Sequence, residues 1–119
     1  RAIVSFCELY RHAMEQADAP ALLRLASPKY LDDGGTSDPA DDVDRAALDD
    51  FVRNKFGDAK NVRLEVRYRT IRVDHSRIVV EYTSAWSFRV GDGPWKRGLD
   101  DSTLVLEKTA DSFQILSGM

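Results

Sequence analysis

An α+β domain, three N-terminal helices packed on a strongly curved antiparallel sheet, is predicted by three features of the sequence. Apolar residues in the first half recur at the three-and-four spacing of helices, and after Gly57 they alternate as strands do. Apart from one short strand before the third helix, the helices precede the strands, so the two are segregated to opposite sides. The stretch Arg77–Val90 then alternates over its whole length, with Ile78, Val80, Tyr82, Trp86 and Phe88 on one side and Glu81, Thr83, Ser87 and Arg89 on the other. At ~3.3 Å per residue it would span roughly 45 Å, well beyond an ordinary strand, and a strand that long has to bend. Its oily side is expected to face inward, towards the helices.

The elements follow in order. Residues 2–17 form an amphipathic helix, with Ile3, Phe6, Cys7, Tyr10, Ala13, Met14 and Ala17 on the buried stripe. His12 lies opposite that stripe and reads as solvated, while Cys7 reads as a small core residue. Asp18 caps a short second helix, Ala21 to Ala26, with Pro20 in its first turn and Ser27-Pro28 at its end. Lys29-Tyr30-Leu31 is expected as a short strand, and 34–42 as an exposed polar loop. A third helix covers about 43–56, capped by Asp42 or Asp44 and stopped by Gly57.

In the strands that follow, Val62, Leu64, Val66 and Tyr68 mark one face, and the apolar phase then slips to Ile71 and Val73. One extra residue near Arg69-Thr70 is the signature of a β-bulge, which bends its strand. Asp74-His75-Ser76 turns into the long strand, with His75 as a turn residue. Gly91-Asp92-Gly93-Pro94 turns out of it. Trp95 to Lys108 and Phe113 to Ser117 complete a four-strand meander.

Composition narrows the function classes. The 119 residues suffice for a single domain with one core, spanning the whole of 1–119. A net charge of −3 argues against a nucleic-acid partner, and the arginines at 63, 67 and 69 alternate with Glu65 in a pattern suited to cross-strand pairing. No apolar run approaches the ~20 residues of a membrane span. One cysteine permits no internal disulfide and leaves the compartment open. The first residue is Arg, as expected of a trimmed or processed chain. Six aspartates between Asp32 and Asp44 do not follow calcium-loop spacing, and neither a zinc pattern nor a phosphate loop is present, so no metal or cofactor is expected.

The chain resembles the nuclear transport factor 2-like superfamily, the cone fold shared with ketosteroid isomerase and polyketide cyclases. The resemblance rests on the first helix ending Ala13-Met-Glu-Gln-Ala-Asp18, the Ala21-Leu-Leu-Arg-Leu-Ala26 helix, Tyr30-Leu31-Asp32-Asp33, and the closing hairpin Asp101–Glu107 with Phe113–Ser117. It implies a pocket between the concave face and the helices, and a homodimer through the outer face. It also implies an acid–base set: Tyr10 as the helix-one tyrosine, Asp33 (or Asp32) as the base, and Asp101 (or Asp100) as the acid at an oxyanion. Asp100 and Asp101 are neighbours in a strand, so only one of them can face inward.

Three functional readings follow. The first is a small apolar ligand held by Tyr10, Tyr30, Tyr82, Trp86 and Phe88 in a homodimeric binding domain. The second is an acid–base enzyme using Asp33 or Asp101 with Tyr10. The third is an interaction module whose hollow is filled by its own side chains.

Overall fold

The computed structural model describes residues 2–32, 42–56 and 59–119. Helices α1 (Ala2–Glu15) and α2 (Ala19–Leu25) lead into a two-residue strand β1 (Leu31–Asp32). Strand β2 (Val43–Asp44) and helix α3 (Arg45–Phe56) follow. Strands β3 (Ala59–Asp74), β4 (Arg77–Val90), β5 (Lys96–Lys108) and β6 (Phe113–Ser117) form an antiparallel meander in the order β3-β4-β5-β6. No described helix is long and apolar enough to cross a membrane.

Helix α1 stops two residues earlier than its apolar stripe. Ala17 turns to φ 51°, while Ala17 N–H donates to the Met14 carbonyl and Asp18 N–H to that of Ala13. Those two bonds satisfy the last carbonyls of the helix by a left-handed cap, a place usually taken by Gly. Asp18 then caps α2 as expected, its carboxylate accepting the Ala21 N–H at 3.1 Å. The strand expected at Lys29–Leu31 lies one step later. Ser27 instead organises a turn, its hydroxyl accepting from Lys29 N–H and its carbonyl from Tyr30 N–H. Leu31 and Asp32 pair with Asp44 and Val43, so Val43 belongs to a strand rather than to α3. Asp44 is the cap of α3, accepting the Ala47 N–H at 2.9 Å. The polar loop at 34–42 and the stop at Gly57 fall outside the described residues, Asp42 excepted.

The long strand has the parity its sequence predicts. Ile78, Val80, Tyr82 and Ser84 are buried, and the residues between them are not. Register slips between Tyr68 and Thr70, so that Tyr68 faces Tyr82 and Thr70 faces Glu81 with Arg69 as the extra residue. That is the expected bulge, and it bends β3 over the helices. The core lies where the sheet meets α2 and α3: Leu22, Leu48 and Val52 from the helices meet Ile78, Val80, Leu104, Leu106 and Ile115 from the sheet, each 2% exposed or less. Each such side chain contributes about 1.5–3 kcal/mol by leaving water.

Candidate functional site

Beside that core, under α1, the sheet is not filled. A cavity of about 270 Å³ lies between α1 and the inner face of β3, β4 and β5. Its deep end is walled by Cys7, Tyr10, Tyr82 and Leu104, all buried. Trp86 and Phe88, two residues apart on β4, carry the wall outward with their rings stacked at 5.7 Å. Asp100 and Ser84, partners across β4 and β5, close the polar side.

The tyrosines share hydrogen bonds. Tyr82 is bonded to both Tyr10 and Ser102. Burial, above all, pushes the Tyr10 and Tyr82 hydroxyls above the usual phenol range, so both are neutral. Burial also raises the Cys7 thiol to about 11, with Glu8 adding to the effect. Cys7 is therefore a protonated wall residue and a poor nucleophile.

Asp100 is held from inside. The Trp86 indole N–H donates to Asp100 Oδ2 at 2.7 Å. The indole can reach it because it lies across Gly98, the residue paired with Trp86. A Cβ at Gly98 would sit 2.4 Å from the ring. Glycine at 98 thus lets the tryptophan lie flat and fix the carboxylate two residues on.

The residues named from sequence separate into three groups. Tyr10, Tyr82, Trp86 and Phe88 come together around the cavity. Tyr30 does not join them: it is 2% exposed, and its hydroxyl accepts the Met119 N–H at 3.0 Å. Burial raises the Tyr30 hydroxyl to about 12. Asp32 works beside it, accepting the Gly118 N–H at 3.0 Å. Asp101 faces away from the hollow. Its pairing with Thr83 puts it on the outer face, where it accepts the Thr83 hydroxyl at 2.8 Å with its side chain 73% exposed. Asp100 is the inward member of the pair, and Asp33 lies outside the described residues.

One further group was not named from the sequence. Glu8, Arg11 and Glu15 fall on one side of α1 and clamp it to β3, an edge of the sheet. Glu15 accepts the Leu64 N–H at 2.9 Å, and Arg11 donates to the Leu64 carbonyl at 3.4 Å. Side chains thereby stand in for a neighbouring strand, which blunts the edge. Tyr68 donates to Glu8 at 2.6 Å, and Arg11 bridges Glu8 at 2.9 Å and Glu15 at 2.6 Å. The Tyr68 hydrogen bond is the main reason the Glu8 carboxyl lies below the usual range, with Arg11 assisting against the cost of burial. The i, i+3 and i, i+7 spacing of these three was the available clue. Among the described residues no group of three or more His, Cys, Asp or Glu could hold a metal ion.

No curated protein matches the chain. Among solved structures, a candidate scytalone dehydratase from Novosphingobium aromaticivorans superposes with a TM-score of 0.81 at 11% identity, over 99% of this chain and 79% of that one. A candidate dehydratase of the NTF2-like family from Streptomyces avermitilis gives 0.76 at 17%, over 98% and 90%. A candidate calcium/calmodulin-dependent protein kinase type II association domain from Thiobacillus denitrificans gives 0.72 at 16%, over 95% and 88%. At these identities the likeness establishes the fold, and one fold carries many functions. The family model described as the SnoaL-like domain matches residues 3–118, so the chain belongs to that family, within the nuclear transport factor 2-like superfamily.

Proposed function

We propose that this domain binds a small, mainly apolar molecule in the hollow beneath α1. The reading is carried by where the described acids sit. The deep end is made of neutral tyrosines, a protonated thiol and Leu104, whereas Asp100, the one carboxylate among the described lining residues, is exposed at the mouth. Acid–base chemistry in a dry interior would set a carboxylate beside Tyr10, and the neighbour bonded to Tyr10 is Tyr82. A hollow filled by its own side chains would leave no cavity. At about 270 Å³ the space is near the lower end of ligand pockets, ~300–1,000 Å³, so the occupant is small.

The test is a panel of small aromatic and alicyclic compounds screened by ligand-observed NMR, repeated on Val66→Phe. Val66 lines the cavity, and a larger side chain there occupies it. Compounds that bind the natural chain and lose at least tenfold in affinity on that variant would support the proposal; compounds indifferent to it would be surface binders and would refute it.

The same reading pairs two copies through the outer sheet face. Leu99 is 73% exposed there. Trp95, 40% exposed, lies near it, bracketed by the guanidinium groups of Arg63 and Arg89 at 5.5 and 5.8 Å. Trp95 and Leu99 border one concavity with Arg63 and Arg97 around them, and an apolar patch rimmed by charge is the usual mark of a surface with a partner. Sedimentation equilibrium decides between a monomer and a dimer.

A further inference from the structure

The charges around the cavity say what the polar end of the ligand should be, if the binding reading is right. Among the described lining residues two side chains are ionised, Arg11 and Asp100. Arg11 is already committed, at 2.9 Å to Glu8 and 2.6 Å to Glu15, so its positive charge is matched by two negative ones. Asp100 receives a neutral donor, the indole N–H, on Oδ2. Its carboxylate stands exposed at the open end of an aromatic channel. Of the charges on the described lining residues the unmatched one is therefore negative, and it disfavours an anionic ligand there.

We propose that the ligand is a small amphiphilic organic cation. Its protonated amine sits at the mouth against Asp100 and the ring faces of Trp86 and Phe88, and its apolar body lies on the floor made by Tyr10, Tyr82 and Leu104. The arrangement supplies both attractions an alkylammonium group uses. A carboxylate whose Oδ1 takes no hydrogen bond from a described residue gives a charge-assisted hydrogen bond, and π faces within ~6 Å attract the cation. The burial gradient matches such a molecule end for end. The floor is closed to water, while the carboxylate is exposed to it.

Three probes of one size separate the possibilities: phenethylammonium, phenethyl alcohol and phenylpropionate, each titrated by calorimetry at neutral pH. The amine is expected to bind about fivefold more tightly than the alcohol, with the carboxylate weakest. Asp100→Asn should erase the advantage of the amine, lowering its affinity about fivefold relative to the alcohol; Asp101→Asn, on the outer face, should alter neither. If the alcohol or the carboxylate binds as well as the amine, the inference is overturned while the binding reading stands. If Asp100→Asn leaves the preference for the amine intact, the inference is likewise overturned. If none of the three binds, the binding reading fails and takes the inference with it.

Discussion

Asp100 and Asp101 are the same residue type, adjacent in one strand, and have unlike surroundings. Asp100 takes an indole N–H and borders the cavity. Asp101 takes a threonine hydroxyl, has Arg69 at 4.0 Å, and lies in water. The contrast extends over the two faces of the sheet. All four tyrosines of the chain are turned to the inner side or the core, while Glu81 on the outer face is tied to Thr70 at 2.7 Å and Arg72 at 3.6 Å. The difference teaches that register, rather than residue type, decides which acid belongs to a site. Val80 and Leu104 are opposite each other and fully buried, and that pairing dictates that Ser84 meets Asp100 and Thr83 meets Asp101.

The bluntest way to break the comparison is to truncate neighbours on opposite faces. Leu104, 1% exposed, becomes Ala at a cost of about 2–5 kcal/mol, since both the transfer energy and a cavity are lost. Thr103 beside it is exposed, and Thr103→Ala should stay within about 0.5 kcal/mol. Urea denaturation of both variants checks the ratio. Comparable losses would mean that the outer face is as buried in solution as the inner one.

What could be read in the sequence follows the same division. The inward side of β4 was legible because its large apolar and aromatic residues hold one parity, and the bulge was legible as a slip in the parity of β3 between Tyr68 and Ile71. Strand β5 offers no such signal around the site. Leu99 is outward and 73% exposed, whereas Asp100 is inward, so local polarity there runs opposite to the facing. Only the pairing with β4 settles it, and pairing is not a local property. Tyr30 lies apart from the cavity for a related reason: its partner is Met119, 89 residues away. The clamp from Glu8 to Tyr68 and from Glu15 to Leu64 spans 60 and 49 residues.

That clamp gives the next prediction, of intermediate size and with a definite pH sign. Glu8 has its carboxyl lowered in the folded chain, mainly by the Tyr68 hydrogen bond. A lowered carboxyl contributes stability above its unfolded value, near 4.5, and loses it as pH falls through the folded value. Tyr68→Phe should therefore destabilise by about 1 kcal/mol at pH ~7, held to the low end because the Glu8 side chain is 43% exposed. The gap between variant and natural chain should narrow as pH drops below about 4. Denaturation curves at the two pH values test it; a gap of constant size would assign the loss to packing of the ring rather than to the carboxylate.

The finest probe asks whether the outer face is in water at all. Asp101 and Thr83 form a pair that a double-mutant cycle, Asp101→Ala with Thr83→Ala, can isolate. On a solvated face the coupling should be below about 1 kcal/mol and should fall with added salt. Under a second copy of the chain the same bond would be shielded, and hydrogen bonds to charged groups then approach about 1.5–3 kcal/mol. The coupling would also grow with protein concentration, because association stabilises only the folded form. Leu99→Arg sharpens the choice, since it sets a charge in the middle of the proposed contact. In a dimer it should shift sedimentation to the monomer and return the coupling to its surface value. In a monomer it should change neither, and the outer face would then be what its charge ladder suggests, a solvated back to a sheet whose chemistry lies on the other side.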